Sequence, residues 1–256
     1  MIPKQTTAVV LEVRSHGEAD KIVTFYGRDT GKISGIAKGA SRSRIRFVNK
    51  LELFSLLEIS YQEGRSSSLV RIDQAELLEP FGPIRREYHR YAAACLAGEL
   101  VGQWTREADA DSRIFQLLHW ALTGIAAGPK PMEQLPLLLI FFETKLLDLL
   151  GYRPDLTGCR QCGTLAASAR PYHFSLSQGG LICRLCNHQH QHGLIPLSLA
   201  TARLLARALE LDLAKLNRLQ LPTTGHREAQ HFLQQYTRHL LQREINSRSC
   251  FTALCC

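Results

Sequence analysis

Methionine and tryptophan are scarce in this 256-residue chain, with two of each, and aromatic residues make up only 7%. Long apolar runs are missing as well. The most apolar stretch, LPLLLIFF from Leu135 to Phe142, soon meets Glu143, Lys145 and Asp148. It falls well short of the roughly 20 apolar residues needed to span a bilayer. The opening MIPKQTTAVV lacks the charged start and apolar block of a secretory signal, so a cytoplasmic protein that does not span a membrane is expected. Catalytic signatures are absent too. The segment GRDTGKIS has three residues between Gly27 and Gly31, and Ile33 follows Lys32, whereas a phosphate-binding loop needs four, then Lys and Ser or Thr. It reads instead as a hairpin turn with Gly31 at a positive-φ position. There is no GxSxG, no HExxH, and no HxE before a PCxxC. No catalytic constellation stands out, and the chain is expected not to be an enzyme.

Acidic residues are missing from one place in particular. AKGASRSRIRFVNK, from Ala37 to Lys50, carries Lys38, Arg42, Arg44, Arg46 and Lys50 with no carboxylate among them. The whole chain has 31 Lys+Arg against 23 Asp+Glu, a net charge of +8. Like charges in so short a run repel one another unless an anion sits on them. Nucleic acid is the first choice of partner and a membrane surface the second.

What is present divides along the chain. TAVVLEVRS, KIVTFYG and GKISGIAKG are β-branched runs separated by Gly and Asp, and RSRIRFV, LFSLLEISY and SSLVRIDQAELLE continue the pattern. Short strands at this spacing predict a small barrel or sandwich over residues 1–80. At EPFGPI (Glu79–Ile84) the character changes, and residues 81–256 read as helical. Helices are predicted from Arg85, over about 111–126, 131–150, 198–213 and 227–246. LPTTGH (Leu221–His226) reads as a helix–helix loop, and the tail bearing Cys250, Cys255 and Cys256 as an end that frays.

A cysteine-bearing insertion, residues 159–192, interrupts the helical part. Cys159 and Cys162 form one CxxC pair, and Cys183 and Cys186 a second, with twenty residues between them. Two such knuckles supply four thiolates to a tetrahedral zinc ion. Four thiolates leave no open position, so the ion is expected to be structural. Redox dithiols are the second reading. His173, His188, His190 and His192 are nearby substitutes, and the last three read first as a solvated polar loop.

In an extended strand, Arg42, Arg44 and Arg46 share one face and Ile45 and Phe47 the other. Such a strand edge or loop can track a phosphate backbone, with Lys21, Lys32, Lys38 and Lys50 extending the track. Phe25, Tyr26, Phe47, Phe54 and Tyr61 read first as core and second as base-stacking faces.

Together these residues resemble the RecO family of bacterial recombination mediators. The likeness is densest in AVVLEVRSHGEADKIVTFYGRDTGKISGIAKGA, in FETKLLDLLGYRPDLTGCRQCG and in GGLICRLC. It implies an α+β, multidomain protein: an N-terminal OB-fold β-barrel, then an α-helical domain with an inserted four-cysteine zinc module. It also implies binding of ssDNA and dsDNA, annealing of complementary strands, and help, with RecR and in some settings RecF, in loading RecA onto SSB-coated DNA. The SSB C-terminal tail is expected to dock on the helical domain, at a basic rim such as Arg85, Arg86 and Arg90 or Arg203 and Arg207. Phe141, Phe142, Leu146 and Leu149 read first as core and second as groove lining. Location at the nucleoid would follow from DNA binding. A zinc-ribbon regulator of transcription or translation, and a metal- or thiol-dependent enzyme, are the competing classes.

Overall fold

A computed structural model describes residues 3–64, 69–127, 134–166, 172–187 and 193–255. The chain folds as two compact units, residues 1–128 and 129–256.

The first unit is built on five strands: β1 (Lys4–His16), β2 (Asp20–Gly27), β3 (Gly31–Ala37), β4 (Leu56–Gln62) and β5 (Val70–Glu79). They close into a barrel in the order β1-β2-β3-β5-β4. All pairings are antiparallel except the short β3–β5 seam at Gly35–Val70 and Ile36–Arg71. The period-two pattern directs alternate residues inward: β3 alternates buried and half-buried over its whole length. Val10, Val23, Phe25, Ile33, Leu57, Ile59 and Ile72 fill the interior. The expected turn at Gly31 is there, with φ of 66°. A Cβ at that glycine would stand 2.1 Å from the Asp109 carbonyl oxygen, so both backbone angle and close approach require glycine.

Three helices complete this unit: α1 (Gly82–Arg86), α2 (Tyr88–Trp104) and α3 (Ser112–Ala126). The barrel thus ends where the composition changes, but the compact unit runs on past the 80/81 boundary drawn from sequence. Small residues on α2, Ala92, Ala93, Ala94, Ala97 and Gly98, are buried. Asp111 caps α3 by accepting from the Arg113 backbone N–H at 2.8 Å.

The second unit contains α4 (Gln134–Leu149), β6 (Asp155–Cys159), β7 (Tyr172–Ser175), β8 (Gly180–Cys183), β9 (Leu194–Leu197), α5 (Leu199–Glu210), α6 (Leu213–Leu216), α7 (Thr223–Leu241) and α8 (Asn246–Cys255). The cysteine-bearing insertion is therefore a small sheet, ordered β6-β8-β7-β9. Phe174 of β7 meets Phe232 and Tyr236 of α7 edge-on, with ring centroids 4.6 and 5.0 Å apart. Phe141, Phe142 and Leu146 of α4 are core residues.

Two expectations for the C-terminal part are corrected. Helix α7 begins at Thr223, inside the predicted loop, and ends at Leu241, with Gln242 after it at φ of 54°. The tail does not fray through Cys250: it forms α8, where Phe251 is 2% exposed. Glu143 of α4, also buried, accepts from Thr237 Oγ1 at 2.7 Å and from the Arg248 guanidinium. A buried, paired carboxylate of this kind ties α4, α7 and α8 together. Among the described residues no helix is long and apolar enough to cross a membrane.

Candidate metal centre and nucleic-acid interface

The knuckles come from two strand ends. Cys159 closes β6 and Cys183 closes β8, and each strand runs into a tight turn that brings back Cys162 or Cys186. Gly163 takes the first turn with φ of 71°. The four Sγ atoms lie within 4.8 Å of one another, and Cys162 and Cys183 are 3.9 Å apart. A tetrahedron with metal–sulfur bonds of about 2.3 Å has sulfur–sulfur edges of roughly 3.8 Å, so four thiolates of this spacing fit a zinc-sized ion. The Cys183 backbone N–H donates to Cys159 Sγ at 3.3 Å, and the Thr164 hydroxyl lies 3.2 Å from Cys162 Sγ.

Those donors act on acidity. The Thr164 hydroxyl and backbone N–H, with the neighbouring thiols, draw the Cys162 thiol down to about 6. Burial opposes ionisation of Cys159, and the N–H groups of Cys183, Cys162 and Gln161 outweigh it to lower that thiol too. Cys186 is held up, chiefly because it shares a hydrogen bond with Cys162. Four thiols this close cannot all ionise without a cation between them. Of the alternative ligands, His173 lies on β7 outside the cluster, and His188, His190 and His192 lie outside the described residues.

The basic run is not a strand, which corrects the strand prediction for RSRIRFV. It lies in the connection between β3 and β4, with one 3-10 turn at Ala40–Arg42. Within RSRIRFV, Phe47 turns inward, at 3% exposed, while Ile45 is 82% exposed. Local bonds hold this shape. The Phe47 N–H donates to Ser43 Oγ at 3.1 Å, and Lys50 Nζ donates to the Ile45 carbonyl at 3.3 Å. Arg46 donates to the Lys38 carbonyl at 3.3 Å, its guanidinium 5.1 Å from the Phe47 ring centre. Arg42 meets Glu18 at 3.2 Å, an exposed ion pair of little strength. Lys38, Arg42, Arg44 and Arg46 are all exposed.

The other two predicted cations sit elsewhere. Lys21 is half-buried and 3.9 Å from Glu52. Lys32 donates to the carbonyls of Gly102 at 2.8 Å and Thr105 at 2.6 Å, so it caps the C-terminus of α2, where the helix dipole favours a cation. Both bonds lie within the first unit. Sequence reasoning missed two similar caps. Arg90 donates to the Ala127 carbonyl at 2.9 Å beyond α3, and Lys145 to the Leu209 carbonyl at 2.7 Å in α5. Nothing in the local sequence of a lone cation announces a distant helix end. The five aromatics weighed as stacking faces, Phe25, Tyr26, Phe47, Phe54 and Tyr61, are all buried in the first unit.

A closed five-stranded OB-like barrel, helices, and a four-cysteine cluster able to hold a metal define a class of mixed α+β proteins. The family model described as "Recombination protein O N terminal" matches residues 1–81, and "Recombination protein O C terminal" matches residues 85–249. Relatives named DNA repair protein RecO include that of Syntrophus aciditrophicus (strain SB), 32% identical over 95% of this chain and 93% of its own length. Those of Syntrophobacter fumaroxidans and Anaeromyxobacter sp. (strain K) are each 33% identical, over 95% and 94% of this chain and 94% and 93% of their own lengths. The chain belongs to the RecO family of DNA repair proteins.

Proposed function

We propose that this chain is a recombination mediator that binds ssDNA and dsDNA, anneals complementary strands and, with RecR and RecF, promotes RecA loading onto SSB-coated DNA. The observation that carries the reading is the β3–β4 loop, which projects Lys38, Arg42, Arg44, Arg46 and Lys50 from a closed barrel. Two strands repel each other through their phosphates. A basic loop that neutralises backbone while leaving base edges free lowers that barrier with no need for nucleotide hydrolysis. Lys21 lies at the margin of this footprint, and Lys32 is outside it.

On the same reading, residues 1–80 are the DNA-binding domain and 81–256 the helical domain, with 159–192 a zinc module. Its Cys159, Cys162, Cys183 and Cys186 hold one structural zinc ion, which, when bound, supplies the charge that lets all four thiolates coexist. The acidic, apolar SSB tail suits a cleft of about 440 Å³ in the second unit. There Arg153, Arg203 and Arg207, with Asp155 and Glu210 among them, surround Pro154, Leu156 and Leu209. Arg153 pairs with Glu210, which leaves Arg203 and Arg207 as the cations for an acidic tail above an apolar floor. The Arg85 group suits the tail less well, because Arg90 is buried and Arg85 donates to the Leu53 carbonyl at 3.0 Å. The protein would work at the nucleoid, in the cytoplasm.

Annealing of SSB-coated complementary oligonucleotides, without nucleotide, tests the proposal. Wild type should anneal them, and the folded Arg42/Arg44/Arg46 triple alanine variant should not. Failure of wild type would overturn the mediator reading and favour a zinc-ribbon regulator.

A further inference from the structure

Beside the basic loop, the outer face of the barrel carries an ordered row of polar groups. Gln5 of β1 stands opposite Ser60 of β4, and Ser60 opposite Gln74 of β5. Two amides and a hydroxyl therefore cross three strands in line, one strand spacing of about 4.8 Å apart. Their side chains make no hydrogen bond among the described residues. Two residues along β4 and β5, Glu58 stands opposite Glu76, and both are exposed. These residues form one side of a cleft of about 430 Å³, and Ile45, Arg46 and Lys50 of the loop form the other.

Two details of the cleft are unfavourable for the protein by itself. Ile45 is held out in solvent at 82% exposure by a loop that is pinned on both sides of it, so its burial free energy goes unrealised. Glu58 and Glu76 are like charges directly opposed on neighbouring strands, a pairing that destabilises a sheet. One ligand relieves both. A nucleobase has an apolar face for Ile45, and its edge carries donors and acceptors that glutamine amides match in either sense. Where the base has an exocyclic amine, as cytosine has at N4, that amine can donate to a carboxylate. The carboxylates repel phosphate from the floor, while Arg46 and Lys50 attract it to the rim.

We propose that this cleft is a base pocket that takes one unstacked nucleobase from a bound single strand, with Ile45 against the face and Gln5, Ser60 and Gln74 along the edge. The proposal rests on the loop being a nucleic-acid interface. It adds to that reading a side chain acting as an apolar wedge and a fixed register of the strand on the barrel.

Fluorescence anisotropy separates the two ideas. Oligodeoxycytidine and a strand of equal length and phosphate count, but with abasic residues, are titrated against wild type, Ile45→Ala, Gln74→Ala and Ile45→Leu. Wild type should prefer the base-bearing strand by about tenfold. The two alanine variants should each lose about fivefold on oligodeoxycytidine and nothing on the abasic strand, and Ile45→Leu should keep the preference. Equal losses on both strands, or a preference that survives both alanine variants, would overturn the base pocket while leaving the basic loop in place. If wild type binds neither strand, the nucleic-acid reading of the loop falls as well.

Discussion

The β3–β4 loop and the cysteine cluster solve one electrostatic problem with opposite signs. Each gathers like charge in a small space, five cations in one and four incipient thiolates in the other. The loop keeps its charges apart and in water: Lys38, Arg42, Arg44 and Arg46 are exposed. Screening therefore makes the arrangement tolerable until a polyanion arrives. The cluster brings its sulfurs within 4.8 Å, where repulsion keeps some thiols protonated until a dication displaces the protons. The lesson lies in the strength of the answer each one requires. A dispersed, hydrated patch makes weak, salt-sensitive and exchangeable contacts, as the proposed hold on a strand that must be released requires. A compact tetrathiolate makes a tight, permanent one.

That contrast can be broken most forcefully at the cysteines. Removing metal with a chelator, or replacing Cys159 and Cys183 by Ser, should lower the melting temperature by roughly ten degrees or more. Metal analysis should find one zinc per chain in wild type and none in the double variant. Unchanged melting would make the cluster a dithiol site. In the metal-free chain, alkylation of Cys162 should stay fast at pH 7 and fall off as pH drops through about 6, where its thiolate is lost. Zinc should suppress it throughout.

The next largest effect lies at Glu143. Its buried carboxylate pairs with Arg248 and accepts from Thr237, so Glu143→Ala leaves a buried guanidinium without its counter-charge and should cost about 3–5 kcal/mol in denaturant unfolding. DNA affinity of the folded variant should not change. Lys32→Met sharpens the comparison from the other side, because Lys32 is a cation of the barrel that is not part of the patch. Losing its bonds to Gly102 and Thr105 should cost roughly 1–2 kcal/mol of stability. The salt dependence of DNA binding should stay as it was. A reduced slope would put Lys32 on the DNA after all.

The sequence announces those parts of the molecule that local pattern determines. Alternating β-branched residues and Gly31 reveal β1, β2 and β3, and the CxxC spacing reveals the four-cysteine cluster, because both are short-range arrangements. The loop is misleading for the same reason. Arg44, Ile45, Arg46 and Phe47 alternate as a strand would, yet Ser43 Oγ takes the Phe47 N–H. That local bond competes with ladder pairing. Helix α8 and the residue before it show a weak signal at Ile245, Arg248 and Phe251, all buried at a spacing of three. What fixes it is Glu143, about a hundred residues earlier, and no local pattern carries such a pairing. The row of Gln5, Ser60 and Gln74 is equally invisible until barrel closure sets the register.

The most direct measurement is the salt dependence of single-strand binding by wild type and by the Arg42/Arg44/Arg46 triple alanine variant. If the three guanidiniums neutralise three phosphates, the slope of log K against log salt should become shallower by about 2 in the variant, with stability within about 0.5 kcal/mol of wild type. An unchanged slope in a folded variant would contradict the account, since the loop's charge would then have no part in holding DNA.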